Sequence, residues 1–140
     1  MKVVLDTSFL IELRRGNKKA VNALEKRKTE CEDVIVSSLT VYELLAGANY
    51  VWKKHGDARE MMVVEDMLKY LTMVPVDLDA VRKASNVKAE LMLRGVSVPD
   101  LDVLIACSAE NAEILTFDKD FTPLKDLGFE IALLDGEDEF

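Results

Sequence analysis

Cysteine, histidine, long apolar runs and net positive charge are all scarce in this chain of 140 residues, and each scarcity excludes something. Cys31 and Cys107 are the only cysteines and stand far apart, with no CxxC spacing, so neither a zinc site nor a disulfide framework is indicated. Small buried hydrophobes in a reducing cytoplasm fit both. The sole histidine, His55, falls in Lys53-Lys54-His55-Gly56, a turn-like stretch where a solvated role is expected. No apolar run approaches the ~20 residues of a membrane span, and the start, Met1 to Asp6, is too short in apolar residues for a secretory signal. Eighteen Lys and Arg against 26 Asp and Glu give a net charge of −8. That argues against a surface-wide nucleic-acid binder, which is normally basic. It does not exclude a nuclease, because bound divalent ions reverse the local potential. With no internal repeat and no linker, residues 1–140 read as one domain, which at this size buries roughly 68% of its unfolded surface.

What is present is alternation. Val3-Val4-Leu5 stops abruptly at Asp6-Thr7-Ser8, a buried strand feeding a helix with Phe9, Leu10 and Leu13 on its inner face. Gly16-Asn17 ends that helix, and a second is expected from about Lys18 to Thr29. Val34-Ile35-Val36 is the next strand and Ser37 to Thr40 a cap region. A helical stripe then runs through Val41, Leu44, Leu45, Ala48, Val51 and Trp52. A helix from about Ala58 to Leu71 follows, then a strand around Met73-Val74-Pro75-Val76, placed near an edge by its proline. Ala80 to Leu93 is amphipathic. Pro99-Asp100-Leu101-Asp102 opens an apolar helix from Val103 to Ala109, and the last strands are 114–116 and 130–134. The tail from Asp135 is expected to be frayed. No strand pair is joined by a two-residue turn. The pattern predicts a three-layer α/β/α fold around a mostly parallel sheet of four to five strands.

Ligands of open parallel sheets bind beyond the carboxyl ends of the strands. Asp6 ends the first strand, Glu43 is expected in the first turn of the helix after the second, and Asp102 in the first turn of the helix before the fourth. Asp118, with Asp120 behind it, follows the fourth strand. Each acid has a plain structural explanation. Asp6 or Asp118 could cap a helix, and Thr40-Val41-Tyr42-Glu43 fits a capping box. Asp100 reads as an N-cap, with Asp102 complementing the helix dipole. Four such explanations would have to hold together while all four acids fall at one rim, so the joint reading favours a metal site. With only oxygen donors on offer, that site suits Mg²⁺ or Mn²⁺.

The segments Val4-Leu5-Asp6-Thr7-Ser8, Leu39 to Leu44, Pro99 to Ala106 and Thr116 to Phe121, taken in order and spacing over essentially the whole chain, resemble the PIN-domain family. The likeness is greatest to its stand-alone VapC-type ribonuclease toxins. The resemblance implies a metal-dependent endoribonuclease with metal-binding acids at Asp6, Glu43, Asp102 and Asp118. It also implies supporting hydroxyls at Thr7 and Ser8, a supporting acid at Asp120, an RNA substrate, a homodimer and a small antitoxin partner. Arg14, Arg15 and Lys119 are the cations expected to meet phosphates at the rim. Rival readings are a non-catalytic PIN-like scaffold, a receiver-type domain and an Asp-x-Asp phosphatase. The last two want a second acid where Thr7 and Ser8 stand.

Overall fold

The computed structural model describes residues 1–30 and 33–135, so Cys31 and the tail residues 136–140 lie outside it. Five strands form one sheet: β1 (Lys2–Leu5), β2 (Asp33–Ser37), β3 (Thr72–Val74), β4 (Ala112–Thr116) and β5 (Glu130–Leu133). Their order is β3-β2-β1-β4-β5 and every pairing is parallel. Pro75 directly follows the edge strand β3, where its missing N–H interrupts no ladder.

Side-chain alternation along β1 explains the layers. Val3 and Leu5 point to one face and join Phe9 and Leu10 of α1 (Thr7–Arg14) and Ala20 and Ala23 of α2 (Lys18–Thr29). The same layer takes Val41 and Leu44 of α3 (Ser38–His55) and Met67 of α4 (Arg59–Leu68). Val4 points to the other face, against Ala84 and Leu91 of α5 (Leu78–Leu93), Val103 and Ile105 of α6 (Asp100–Ala106), and Phe121 and Leu124. Helices on both faces of an all-parallel sheet give the expected three layers.

Several boundaries differ from the sequence expectation. The helix after β2 begins at Ser38, capped by the Ser37 side chain, which accepts from the Leu39 amide. Thr40 is therefore no N-cap but a fully buried residue of the first turn, and Glu43 lies in the second turn. The capping-box reading of Thr40 and Glu43 is overturned. α6 starts three residues earlier than expected, because the Pro99 carbonyl accepts from the Val103 amide and Pro99 occupies the N-cap position. Asp100 is consequently inside the helix, exposed and paired with Lys88 at 2.9 Å, so it is not the cap. α4 stops at Leu68, since the Lys69 and Tyr70 amides turn back to the Asp66 and Met67 carbonyls in a tighter turn. A 3₁₀ segment, Lys119–Leu127, was not expected at all.

Candidate active site

β1 is central, and the chain departs from it in opposite directions: β2 and β3 on one side, β4 and β5 on the other. This is the topological switch point, where the loops at the strands' carboxyl ends part and leave a crevice. Asp6 and Asp118 leave β1 and β4 there, and helix starts supply the rest.

The local chemistry builds the site from the bottom. The ladder Leu5↔Leu115 continues one residue through the Asp6 amide to the Leu115 carbonyl, which sets Asp6 level with Thr116. Asp6 is only 3% exposed, and three donors hold it there. The Phe9 amide donates to Oδ1 at 2.9 Å, which makes Asp6 the N-cap of α1. Ser8 Oγ donates at 2.9 Å to either oxygen, and Thr116 Oγ1 donates to Oδ2 at 2.7 Å. The same two hydroxyls tie down the neighbouring loop: Ser8 accepts from the Phe117 amide and Thr116 from the Asp118 amide. Burial raises the Asp6 pKa above the ordinary carboxylate value and is the largest influence. The bonds from Thr116, Phe9 and Ser8 oppose it, and the charge on Asp118 adds to it.

Glu43 receives the Thr7 hydroxyl on Oε1 at 2.6 Å, a bond that links α1 to α3. Asp102 approaches from α6. One carboxylate oxygen each of Asp102, Asp118 and Asp120 lies within 4.8 Å of the others. Burial pushes the Asp102 pKa up to about 7, and the charges of Asp118, Asp6, Asp120 and Glu43 follow as lesser causes in that order. The charges of Asp118, Asp6, Asp120 and Glu43 therefore all act on Asp102, and Asp102, Asp118 and Asp120 come together as one cluster. Among the described residues none of the five forms an ion pair with Lys, Arg or His. A half-buried cluster of carboxylates with no protein cation is a donor set that suits a hard divalent ion.

The three cations at the rim divide. Arg14 makes a two-pronged ion pair with Glu60 of α4. Arg15 is mostly exposed, touches Glu12 at 2.8 Å, and lines a cleft of about 490 Å³ with Ser8, Ile11, Glu12 and Phe117. Lys119 is exposed and makes no ion pair among the described residues.

Thr116 is the site residue that sequence reasoning missed. Its signal was its register opposite Asp6, which exists only once β1 and β4 are known to pair. Thr116→Val should cost about 1–3 kcal/mol, because it removes a buried hydroxyl bonded to both Asp6 and the Asp118 amide. Thr116→Ser should retain most of that stability. Urea unfolding checks both, and a Val variant as stable as wild type would show that this hydroxyl does not hold Asp6.

Comparison with known proteins decides the family. The sequence profile described as PIN domain matches residues 3–127. The chain belongs to the PIN-domain family. A protein named Ribonuclease VapC2 from Haemophilus influenzae is 29% identical over 115 residues, 82% of this chain and 83% of that protein. A Salmonella typhimurium protein named tRNA(fMet)-specific endonuclease VapC is 27% identical over 106 residues, 76% of each chain. Among solved structures, VapBC2 from Rickettsia felis bound to a promoter DNA fragment superposes with a TM-score of 0.79 at 21% identity. It covers 96% of this chain and all of that one. PIN membership sets aside the receiver-type and Asp-x-Asp phosphatase readings.

Proposed function

We propose that this PIN domain is a divalent-cation-dependent endoribonuclease of the VapC type, the toxin of a toxin–antitoxin pair. The observation that carries the reading is the cluster of Asp102, Asp118 and Asp120, with the charges of Asp6 and Glu43 acting on Asp102 and no Lys, Arg or His paired with any of the five among the described residues. Relatives named as ribonucleases support it, as do structural neighbours described as a member of the VapBC family of toxin–antitoxin systems and as a toxin–antitoxin complex.

Asp6, Glu43, Asp102 and Asp118 would hold Mg²⁺ or Mn²⁺, with Asp120 in support. When bound, such an ion polarises a phosphoryl oxygen and makes its own water more acidic. The remaining work falls to the chain. Ser8, Thr116 and the Phe9 amide fix Asp6 by hydrogen bonds that favour its charged form. Thr7 fixes Glu43. Arg15 and Lys119 offer positive charge to the RNA backbone on an otherwise acidic body, Arg15 from the cleft beside Ser8. Arg14, already committed to Glu60, contributes less than Arg15. Replacing Arg15 by Ala should weaken RNA binding and flatten its dependence on salt by roughly one counterion's worth, whereas Arg14→Ala should change the slope less. An Arg15→Ala slope equal to wild type would remove Arg15 from the RNA path.

Partners fit the exposed apolar residues of the α3–α4 pair. Tyr42, Tyr50 and Trp52 of α3 and Met62 of α4 are about half or more exposed, a surface suited to a second copy or to an antitoxin segment. No helix among the described residues is long and apolar enough to cross a membrane.

The direct test of the cation site is thermal. An ion that binds only the folded state stabilises it by about 2.7 kcal/mol at a hundred times its dissociation constant. Millimolar Mn²⁺ should therefore raise the melting temperature of wild type and leave Asp102→Asn nearly unmoved. Equal shifts in the two proteins would place the ion elsewhere.

A further inference from the structure

Among the described residues, one fully buried side-chain polar atom has no hydrogen-bond partner: the hydroxyl oxygen of Thr40. Thr40 is completely inaccessible to solvent. A buried hydroxyl left unpaired costs free energy, and valine would fill almost the same volume without that cost. Packing alone therefore gives no reason for threonine here.

Its place in the fold does. Ser37, the cap of α3, lies level with Asp6 when the pairing Val4↔Ile35 is carried on by two residues. Thr40 is in the first turn beyond it, and Glu43 follows three residues later on the same side of the helix. Leu39 packs into one apolar layer, while Val41 and Leu44 pack into the other. Thr40 and Glu43 thus share the stripe between the layers, the stripe that faces the strand ends. There α3 packs against both α1, which carries Thr7, and α6, which carries Asp102. The other rim hydroxyls all have partners: Thr7 bonds Glu43, Ser8 and Thr116 bond Asp6, and Ser37 and Ser38 accept from the Leu39 and Val76 amides. Glu43 uses only Oε1 for Thr7, which leaves Oε2 without a protein donor among the described residues.

We propose that Thr40 is a positioning residue of the acidic centre: its hydroxyl donates to the loaded centre on the Glu43 side and holds Glu43 in its ligating orientation. This rests on the divalent-cation reading above. In the metal-free protein the hydroxyl is a burden on stability, and it becomes useful only when the cation draws Glu43 into place. A purely structural threonine would show the burden alone.

The experiment compares full-length wild type, Thr40→Val and Thr40→Ser without RNA, reading Mn²⁺ affinity by calorimetry and metal-free melting by circular dichroism. Thr40→Val should melt at or above wild type when metal-free, yet bind Mn²⁺ about tenfold more weakly, the usual loss at a residue that orients a metal ligand. Thr40→Ser, which restores the hydroxyl, should recover most of that affinity. If Thr40→Val does not fold, Thr40→Ala takes its place with the same affinity criterion. Mn²⁺ bound equally by wild type and the hydroxyl-free variant overturns this inference and leaves the cation site standing. No uptake by wild type overturns the cation reading and this inference with it.

Discussion

Asp102→Asn is expected to lower RNA cleavage by roughly three orders of magnitude while making the metal-free protein more stable above pH 7. The two effects have one origin. Burial and four neighbouring acids hold the Asp102 pKa at about 7, so the folded protein keeps a proton that the unfolded chain releases near pH 4. A folded-state pKa above the unfolded value means that stability is lost as pH rises between those two points. Asparagine carries no charge to desolvate, so its advantage is absent below about pH 4, grows up to about pH 7 and then levels off. Solvent screens the half-buried carboxylate, and the expected gain is about 1–2 kcal/mol. Urea unfolding at pH 4, 6 and 8 measures it. A variant less stable than wild type at pH 8 would show that Asp102 serves the fold more than the site.

Glu43→Gln separates charge from architecture. A glutamine amide oxygen can still accept the Thr7 hydroxyl, so the bond between α1 and α3 survives and folding should change little. The negative charge is gone, and with it the pull on a cation, so cleavage should fall by roughly two or more orders of magnitude. Ser37→Ala is the matching structural control. It removes the α3 cap and should cost about 0.5–2 kcal/mol of stability with a smaller effect on chemistry. Equal cleavage by Glu43→Gln and wild type would return Glu43 to a purely structural role.

The residues that were legible in the sequence are those whose environment is set by their immediate neighbours. Val3-Val4-Leu5 reads as a buried strand that Asp6 ends, and Gly16-Asn17 reads as the stop of α1; that Asn17 also caps α2 through the Lys19 amide is added by the structure. Glu43 lies a turn later in α3 than its local sequence suggests, because Ser37, Ser38 and Thr40 are all competent caps. Which one caps depends on where β2 stops pairing with β1 and β3, a fact carried by other strands. The 3₁₀ segment is not legible because Pro123 stands inside it, and a proline amid an apolar i,i+3 pair reads as a break rather than a helix. Thr116 and the full engagement of Ser8 depend on the β1–β4 register, which no local pattern encodes. The commitment of Arg14 to Glu60 likewise needed α1 and α4 brought side by side.

If the acidic cluster cuts RNA through a bound divalent ion, cleavage must follow the metal and the carboxylates together. Purified full-length protein is incubated with total RNA in Mn²⁺, in EDTA, and in EDTA followed by excess Mn²⁺, with Asp102→Asn run alongside. The expected result is internal cleavage in Mn²⁺, none in EDTA, recovery on adding Mn²⁺ back, and cleavage by Asp102→Asn lower by roughly three orders of magnitude. Cleavage that persists in EDTA or runs at the wild-type rate in Asp102→Asn, or RNA left intact by wild type in millimolar Mn²⁺, would contradict it.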